Sequence, residues 1–133
     1  MYPLKAKVTQ ALPTGSEVET CDNSGAKVVK IFSVLGHNTT KGRRQAGGVG
    51  DLVLASVKRG RPDMRKQTVF AIIVRQRKEY RRPDGMRIKF EDNSVVVLKD
   101  EKGNPKGTQV KGPVPREIQE RWKEVSKLAA AVV

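Results

Sequence analysis

Residues 51–74, DLVLASVKRGRPDMRKQTVFAIIV, decide the fold. Residues 51–58 are rich in Leu and Val and read as a strand. Residues 59–63, RGRPD, turn the chain, because Gly and Pro punctuate regular structure. Residues 67–77 read as another strand, buried over the run VFAIIV. Toward the N-terminus, residues 26–35, AKVVKIFSVL, are rich in β-branched residues and predict a long strand. Before it comes the turn DNSG at 22–25, where Asx side chains bond the local backbone and Gly supplies a positive φ. Residues 17–22, EVETCD, alternate loosely. Residues 1–16, with Pro3, Pro13 and Gly15, read as an arm or an irregular first strand.

Toward the C-terminus, residues 75–89, RQRKEYRRPDGMRIK, read as a two-stranded ribbon carrying charge outward from the body. Its tip is Pro83-Asp84-Gly85, where Pro presets φ and Gly takes the left-handed position. Residues 90–99 give one more strand, kinked at Asp92-Asn93, and residues 100–113 read as a loop. Residues 36–50, GHNTTKGRRQAGGVG, hold five glycines and read as a long flexible loop. Residues 115–131 read as a helix, with Pro115 in its first turn and an apolar stripe of Ile118, Trp122, Val125 and Leu128 or Ala129. About five short strands with regular turns predict a mainly β fold, a small barrel or a sandwich. Closure into a barrel removes edge strands that would otherwise aggregate. No repeat or boundary divides the chain. One domain is expected over residues 1–133: an arm at 1–16, barrel and ribbon at 17–99, loop and helix at 100–133.

Charge narrows the function. The 133 residues carry 27 Lys and Arg against 14 Asp and Glu, a net +13 with a pI near 10.2. Residues 41–89 hold 15 basic residues and four acids, a net +11, which leaves only +2 for the rest. Solubility asks for a charge of about 2–8 on a small domain, so this concentration points to a polyanionic partner. A membrane is disfavoured, because no apolar run approaches the roughly 20 residues of a span and the cations do not line an amphipathic helix. Cys21 alone excludes an internal disulfide framework and fits a reducing compartment. Cys21 and His37 cannot fill a four-ligand zinc site.

Catalytic constellations fail one by one. The loop at 36–50 lacks the phosphate-cradling pattern that ends in Gly-Lys-Ser/Thr, and Gly48-Val49-Gly50 leads into a strand, not a helix. Nothing orients His37 toward Cys21, which reads as a small buried thiol. Asp22, Asp51, Asp63 and Asp84 all adjoin turn residues and form no paired-carboxylate metal site. No catalytic residue, metal or cofactor is expected. The rivals to a structural RNA binder are a freestanding RNA chaperone and an RNA-cleaving enzyme built on Asp51 or Asp84.

The aromatics select the kind of nucleic acid. Phe32 and Phe70 lie in apolar strands and Trp122 in the helix stripe, so all three read as core. Only Tyr80 sits among cations, with Phe90 at the ribbon's base. That is poor equipment for stacking unpaired bases and suits phosphate and shape recognition of folded RNA. The expected RNA contacts are Lys41, Arg43 and Arg44 in the loop, then Lys58, Arg59, Arg61, Arg65 and Lys66 at the turn. The ribbon adds Arg75, Arg77, Lys78, Arg81, Arg82, Arg87 and Lys89.

Several segments together carry a resemblance. They are Asp22-Asn23-Ser24-Gly25-Ala26, Gly48-Val49-Gly50-Asp51, Ala71-Ile72-Ile73-Val74, and Arg81-Arg82-Pro83-Asp84-Gly85. Phe90 follows with Asn93 and Val96, then Gly107-Thr108, Gly112-Pro113-Val114 and Arg116-Glu117. The chain resembles the universal large-subunit ribosomal protein fourteen family, in its archaeal and eukaryotic branch, from about residue 18 to 128. The resemblance implies a closed five-stranded β-barrel with a protruding ribbon and a C-terminal helical segment. It implies a non-enzymatic, cytoplasmic ribosomal protein that binds large-subunit rRNA near the intersubunit interface and supports translation. Its implied partners are neighbouring large-subunit ribosomal proteins and small-subunit rRNA at a bridge. An anti-association factor is implied at the C-terminal helix, through Arg116, Arg121 and Lys123.

Overall fold

The computed structural model describes residues 8–36 and 39–133, so His37 and the start of the arm lie outside the described residues. The chain begins with β1 (Leu12–Pro13), β2 (Glu17–Thr20), β3 (Ala26–Val34) and β4 (Ala46–Gly47). It continues through β5 (Leu52–Gly60), β6 (Thr68–Arg75), β7 (Tyr80–Arg81), β8 (Arg87–Ile88), β9 (Ser94–Leu98) and β10 (Val110–Val114). Two short helices, α1 (Arg116–Arg121) and α2 (Lys123–Ser126), precede β11 (Ala129–Val132). Strands β2, β3, β5, β6 and β9 close a barrel in that order. The neighbours run antiparallel except at the seam, where β2 lies parallel to β9 with Glu19 opposite Ser94. The expected mainly β, five-stranded closed barrel is the fold observed.

Alternation along the strands divides the apolar residues into two clusters. Inside the barrel, Val18, Val29, Ile31, Val53, Ala55, Ala71, Ile73, Val95 and Val97 fill the core. Leu52, Ile72, Val74, Val96 and Leu98 point outward and need a second cover. The C-terminal segment supplies it: Ile118, Trp122 and Val125 are buried on this outer wall, as the apolar stripe predicts. The Trp122 Nε1–H donates to the Gly50 carbonyl at 2.9 Å, which ties the helix pair to the start of β5.

Three expectations change. The helix expected over 115–131 breaks at Trp122, whose φ of −125° and ψ of 74° leave the helical region. Residues 129–132, expected as the helix end and tail, form β11, parallel to β10, most of which was expected as loop. The loop expected over 36–50 is built into the protein at its end. Gly47, Gly48, Val49 and Gly50 are buried, with the Gly48 N–H bonded to Asp51 at 2.7 Å and the Val49 N–H to Gln76 at 3.0 Å. The ribbon is two residues per strand, and Tyr80 at its base is buried in the outer cluster.

Candidate nucleic-acid interface

The fold sorts the expected contacts by whether their charge is free. Of the fifteen cations, thirteen are exposed, which keeps them available to a ligand. Lys41, Arg43 and Arg44 lie on the open part of the loop. Lys58, Arg59, Arg61, Arg65 and Lys66 lie on and after the end of β5. Arg77, Lys78, Arg81, Arg87 and Lys89 lie on and around the ribbon. Some have weak internal ties. Arg61 sits 3.7 Å from Asp63 and Arg87 3.7 Å from Glu79, both pairs well exposed and worth little against solvent.

Arg75 and Arg82 do other work. Arg75 is 7% exposed and bonds Asp92, Ser94 and the carbonyls of Lys111 and Pro113. Arg82 is 9% exposed and grips Glu117 of α1, Nε to Oε1 at 2.7 Å, while its Nη2 donates to the Val133 carbonyl. The bond to Glu117 is the main cause that raises the Arg82 pKa above its ordinary value. The Tyr80 hydroxyl donates to the same carboxylate at 3.1 Å. Burial first, and the Glu117 charge second, push the Tyr80 phenol upward. The ribbon is therefore seated on α1, and its tip at 83–87 stays exposed. Arg75 has all five donors engaged inside the protein and Arg82 its Nε and Nη2 donors, so both are held by the fold and not displayed like the other thirteen.

At the helical face, Arg116 and Lys123 are exposed. Arg121 is half-buried, donates to the Gly50 carbonyl at 3.0 Å and lies 5.3 Å from the Trp122 ring centre. The carboxylates have structural partners. Asp51 is buried and accepts the Gly48 N–H, Asp84 accepts the Met86 N–H at 2.9 Å, and Asp22 accepts the Val97 N–H at 3.0 Å. Burial raises the Asp22 carboxyl above its ordinary range, against the lowering effect of the Val97 and Ser24 bonds. Cys21 is buried as expected, and desolvation pushes its thiol up to about 12.

Sequence reasoning missed two kinds of residue. Phe32, expected in the core, is 48% exposed, because Val29 and Ile31 face the barrel interior and alternation turns Phe32 outward. Lys27 and Lys111 lie far apart in sequence and outside the charge run, yet they line one cavity with Arg59 and Arg61. Only strand alternation on β3 signalled Lys27. Nothing local signalled Lys111.

Comparison with known proteins finds relatives along almost the whole chain. The family model for ribosomal protein L14p/L23e matches residues 11–133. The chain is 49% identical over 133 residues to the large ribosomal subunit protein uL14 of Nanoarchaeum equitans, covering all of both chains. It is 46% identical, again over the whole of both chains, to the proteins of that name from Methanocorpusculum labreanum and Halobacterium salinarum. A barrel with exposed cations at its loops and ribbon, and identity of this extent, place the chain in a family: it belongs to the ribosomal protein L14p/L23e family.

Proposed function

We propose that the chain is a structural constituent of the large ribosomal subunit in the cytoplasm and supports translation by binding large-subunit rRNA. The observation that carries this reading is the set of thirteen exposed cations between residues 41 and 89, displayed on a closed barrel. Lys and Arg at phosphates displace condensed counterions, and the entropy of their release drives binding. The barrel acts as a rigid mount with no catalytic part in the reading. Arg116 and Lys123 offer a second, protein-facing surface near the intersubunit side, for neighbouring ribosomal proteins or an anti-association factor. Small-subunit rRNA at a bridge is the remaining partner.

The test is sedimentation of a tagged chain in a cell extract on a sucrose gradient. The expected result is co-migration with the large subunit at low Mg²⁺ and with the whole ribosome at higher Mg²⁺. A chain that stays at the top of the gradient and binds unstructured single strands equally well overturns the reading.

A further inference from the structure

Residues 8–16 of the arm lie along the returning leg of the cationic loop. There β1 pairs with β4, Leu12 opposite Gly47 and Pro13 opposite Ala46, and the Thr14 N–H donates to the Gln45 carbonyl at 3.0 Å. One end of this stretch is fixed by Gln76, which is fully buried. The Gln76 Nε2 donates to the Thr9 carbonyl at 3.0 Å and the Lys78 carbonyl at 2.9 Å, while its Oε1 accepts the Val49 N–H. Both N–H groups and the oxygen of that amide are therefore engaged. The other end is fixed by β3: the Gly15 N–H donates to the Ile31 carbonyl at 2.6 Å, and the Ser16 carbonyl accepts the Ile31 N–H at 3.0 Å. Between them Leu12 is buried in the barrel cluster. The stretch runs so close to the loop's end that a Cβ at Gly48 would lie 2.7 Å from the Thr9 carbonyl oxygen.

These contacts reach the charge itself. Arg44 is exposed, yet its Nε–H donates to the Thr14 hydroxyl at 3.4 Å, and its Nη2 lies 2.9 Å from where a Cβ at Gly15 would sit. Gln45, the next residue, is gripped twice. Its carbonyl takes the Thr14 N–H, and its side-chain oxygen takes the Val34 N–H at 3.3 Å. Val34 ends β3, where the loop departs, so Gln45 brings the two feet of the loop together. Within the loop the Thr39 hydroxyl accepts the N–H groups of Lys41 and Arg43 at 3.3 and 3.2 Å. The loop's three cations thus stand on a scaffold of neutral groups. A cation already held near its binding pose gives up less conformational freedom when a phosphate arrives.

We propose that residues 8–16 are a positioning strap: they hold the returning leg of the loop and orient Arg44, so that the loop's affinity for RNA is set in part by groups that touch no RNA. The proposal rests on the rRNA-binding reading. It adds a role for the arm, with Thr14, Gly48 and Gln76 as positioning residues.

The experiment measures the affinity of the full chain for a short RNA hairpin across a salt series and follows backbone amide relaxation by NMR. Two variants loosen the strap without removing a cation. Thr14→Val keeps the shape and deletes the hydroxyl; Gly48→Ala sets a methyl group against the Thr9 carbonyl. Each should weaken hairpin binding about 3–10-fold, keep the parent's salt slope and increase the motion of residues 41–46. Thr14→Ser, which retains the hydroxyl, should bind as the parent does. Arg44→Ala should flatten the salt slope by about 0.9, and in that background Thr14→Val should cost nothing more. In an Arg81→Ala background, on the ribbon, the Thr14→Val loss should keep its full size. A Thr14→Val loss undiminished without Arg44 overturns the strap and leaves the rRNA reading standing. Parental affinity in both Thr14→Val and Gly48→Ala does the same. A parent chain that binds no hairpin overturns both.

Discussion

The Arg75 guanidinium meets the Asp92 carboxylate side-on, Nε to Oδ1 at 2.9 Å and Nη2 to Oδ2 at 3.1 Å. Its remaining N–H groups reach the Lys111 carbonyl, the Pro113 carbonyl and the Ser94 hydroxyl, so all five donors of the fork are used. One side chain at the end of β6 thereby rivets the approach to β9 and the strand β10. Arg75→Met takes from Asp92 its cation, leaving it the Ser94 hydroxyl, and from two carbonyls a donor, and should lose roughly 1.5–3 kcal/mol of stability. Arg75→Lys should lose most of the same amount, because an ammonium cannot reproduce the fork. Urea unfolding measures both, and a lysine variant within about 1 kcal/mol of the parent contradicts the rivet.

Acid should loosen this joint. Burial by itself raises the Asp92 carboxyl, but the bonds from Arg75 and Ser94 outweigh it and hold the group below its ordinary 3.8. A carboxyl depressed in the folded state adds stability that is complete above its unfolded pKa and is lost as pH falls through the folded value. Asp22 has the opposite sign. Its raised pKa means that protonation favours the fold as pH falls through the folded value toward 3.8. Melting temperature against pH should therefore show a shallower acid limb for Asp92→Asn and a steeper one for Asp22→Asn. Limbs parallel to the parent's in both variants would discard this assignment.

Cys21 should behave as a reporter of opening. Its thiol is held at about 12 mainly by burial, against the lowering field of Arg75, so almost no thiolate exists at neutral pH. A disulfide reagent should label it at the rate of unfolding, and Arg75→Met should accelerate labelling. Rapid labelling of the folded parent protein would show that the site is open to solvent.

Two glycines separate strain from collision. Gly60 has a φ of 153°, and a Cβ there would lie 2.5 Å from the Gly25 carbonyl oxygen and 2.9 Å from the Ala26 Cα. Backbone cannot swing aside, so Gly60→Ala should cost more than about 2 kcal/mol and disturb the β3–β5 pairing. Gly85 has a φ of 91° with open space around it, so Gly85→Ala should lose only the conformational penalty of about 1–2 kcal/mol. Equal losses, read by thermal melting, would refute the collision at Gly60.

Adjacent arginines should part company. Arg81 is exposed, whereas Arg82 holds Glu117 in a two-bond pair. Arg81→Ala should leave the melting temperature unchanged, weaken rRNA-fragment binding and flatten its salt slope by about 0.9. Arg82→Ala should lower the melting temperature by stranding a mostly buried carboxylate. Exchange of these two phenotypes would mean that the ribbon's register is shifted.

The barrel was legible because the runs at 26–35, 51–58 and 67–77 are dense in β-branched residues that alternate faces. The ends were not. Ala129, Ala130 and Ala131 favour helix locally, yet the break at Trp122 and the partner strand at 110–114 make them extended. Tertiary pairing outweighs propensity there. Leu12–Pro13 and Ala46–Gly47 pair over two residues each, too short to leave a period. The interface was legible as a charge run. The run could not show that Arg75 and Arg82 meet acids 17 and 35 positions away and are buried by them.

The barrel's seam sets a timetable for its own birth. Cys21 and Val95 meet there from 74 positions apart. At about 5–20 residues per second, the opening strand is made roughly 4–15 s before its last neighbour. Through that interval the nascent sheet has two bare margins, and the cationic middle third is made before the barrel can close. A newborn chain of this kind meets polyanions before it has finished becoming a cylinder, so shielding during synthesis matters as much as affinity afterward.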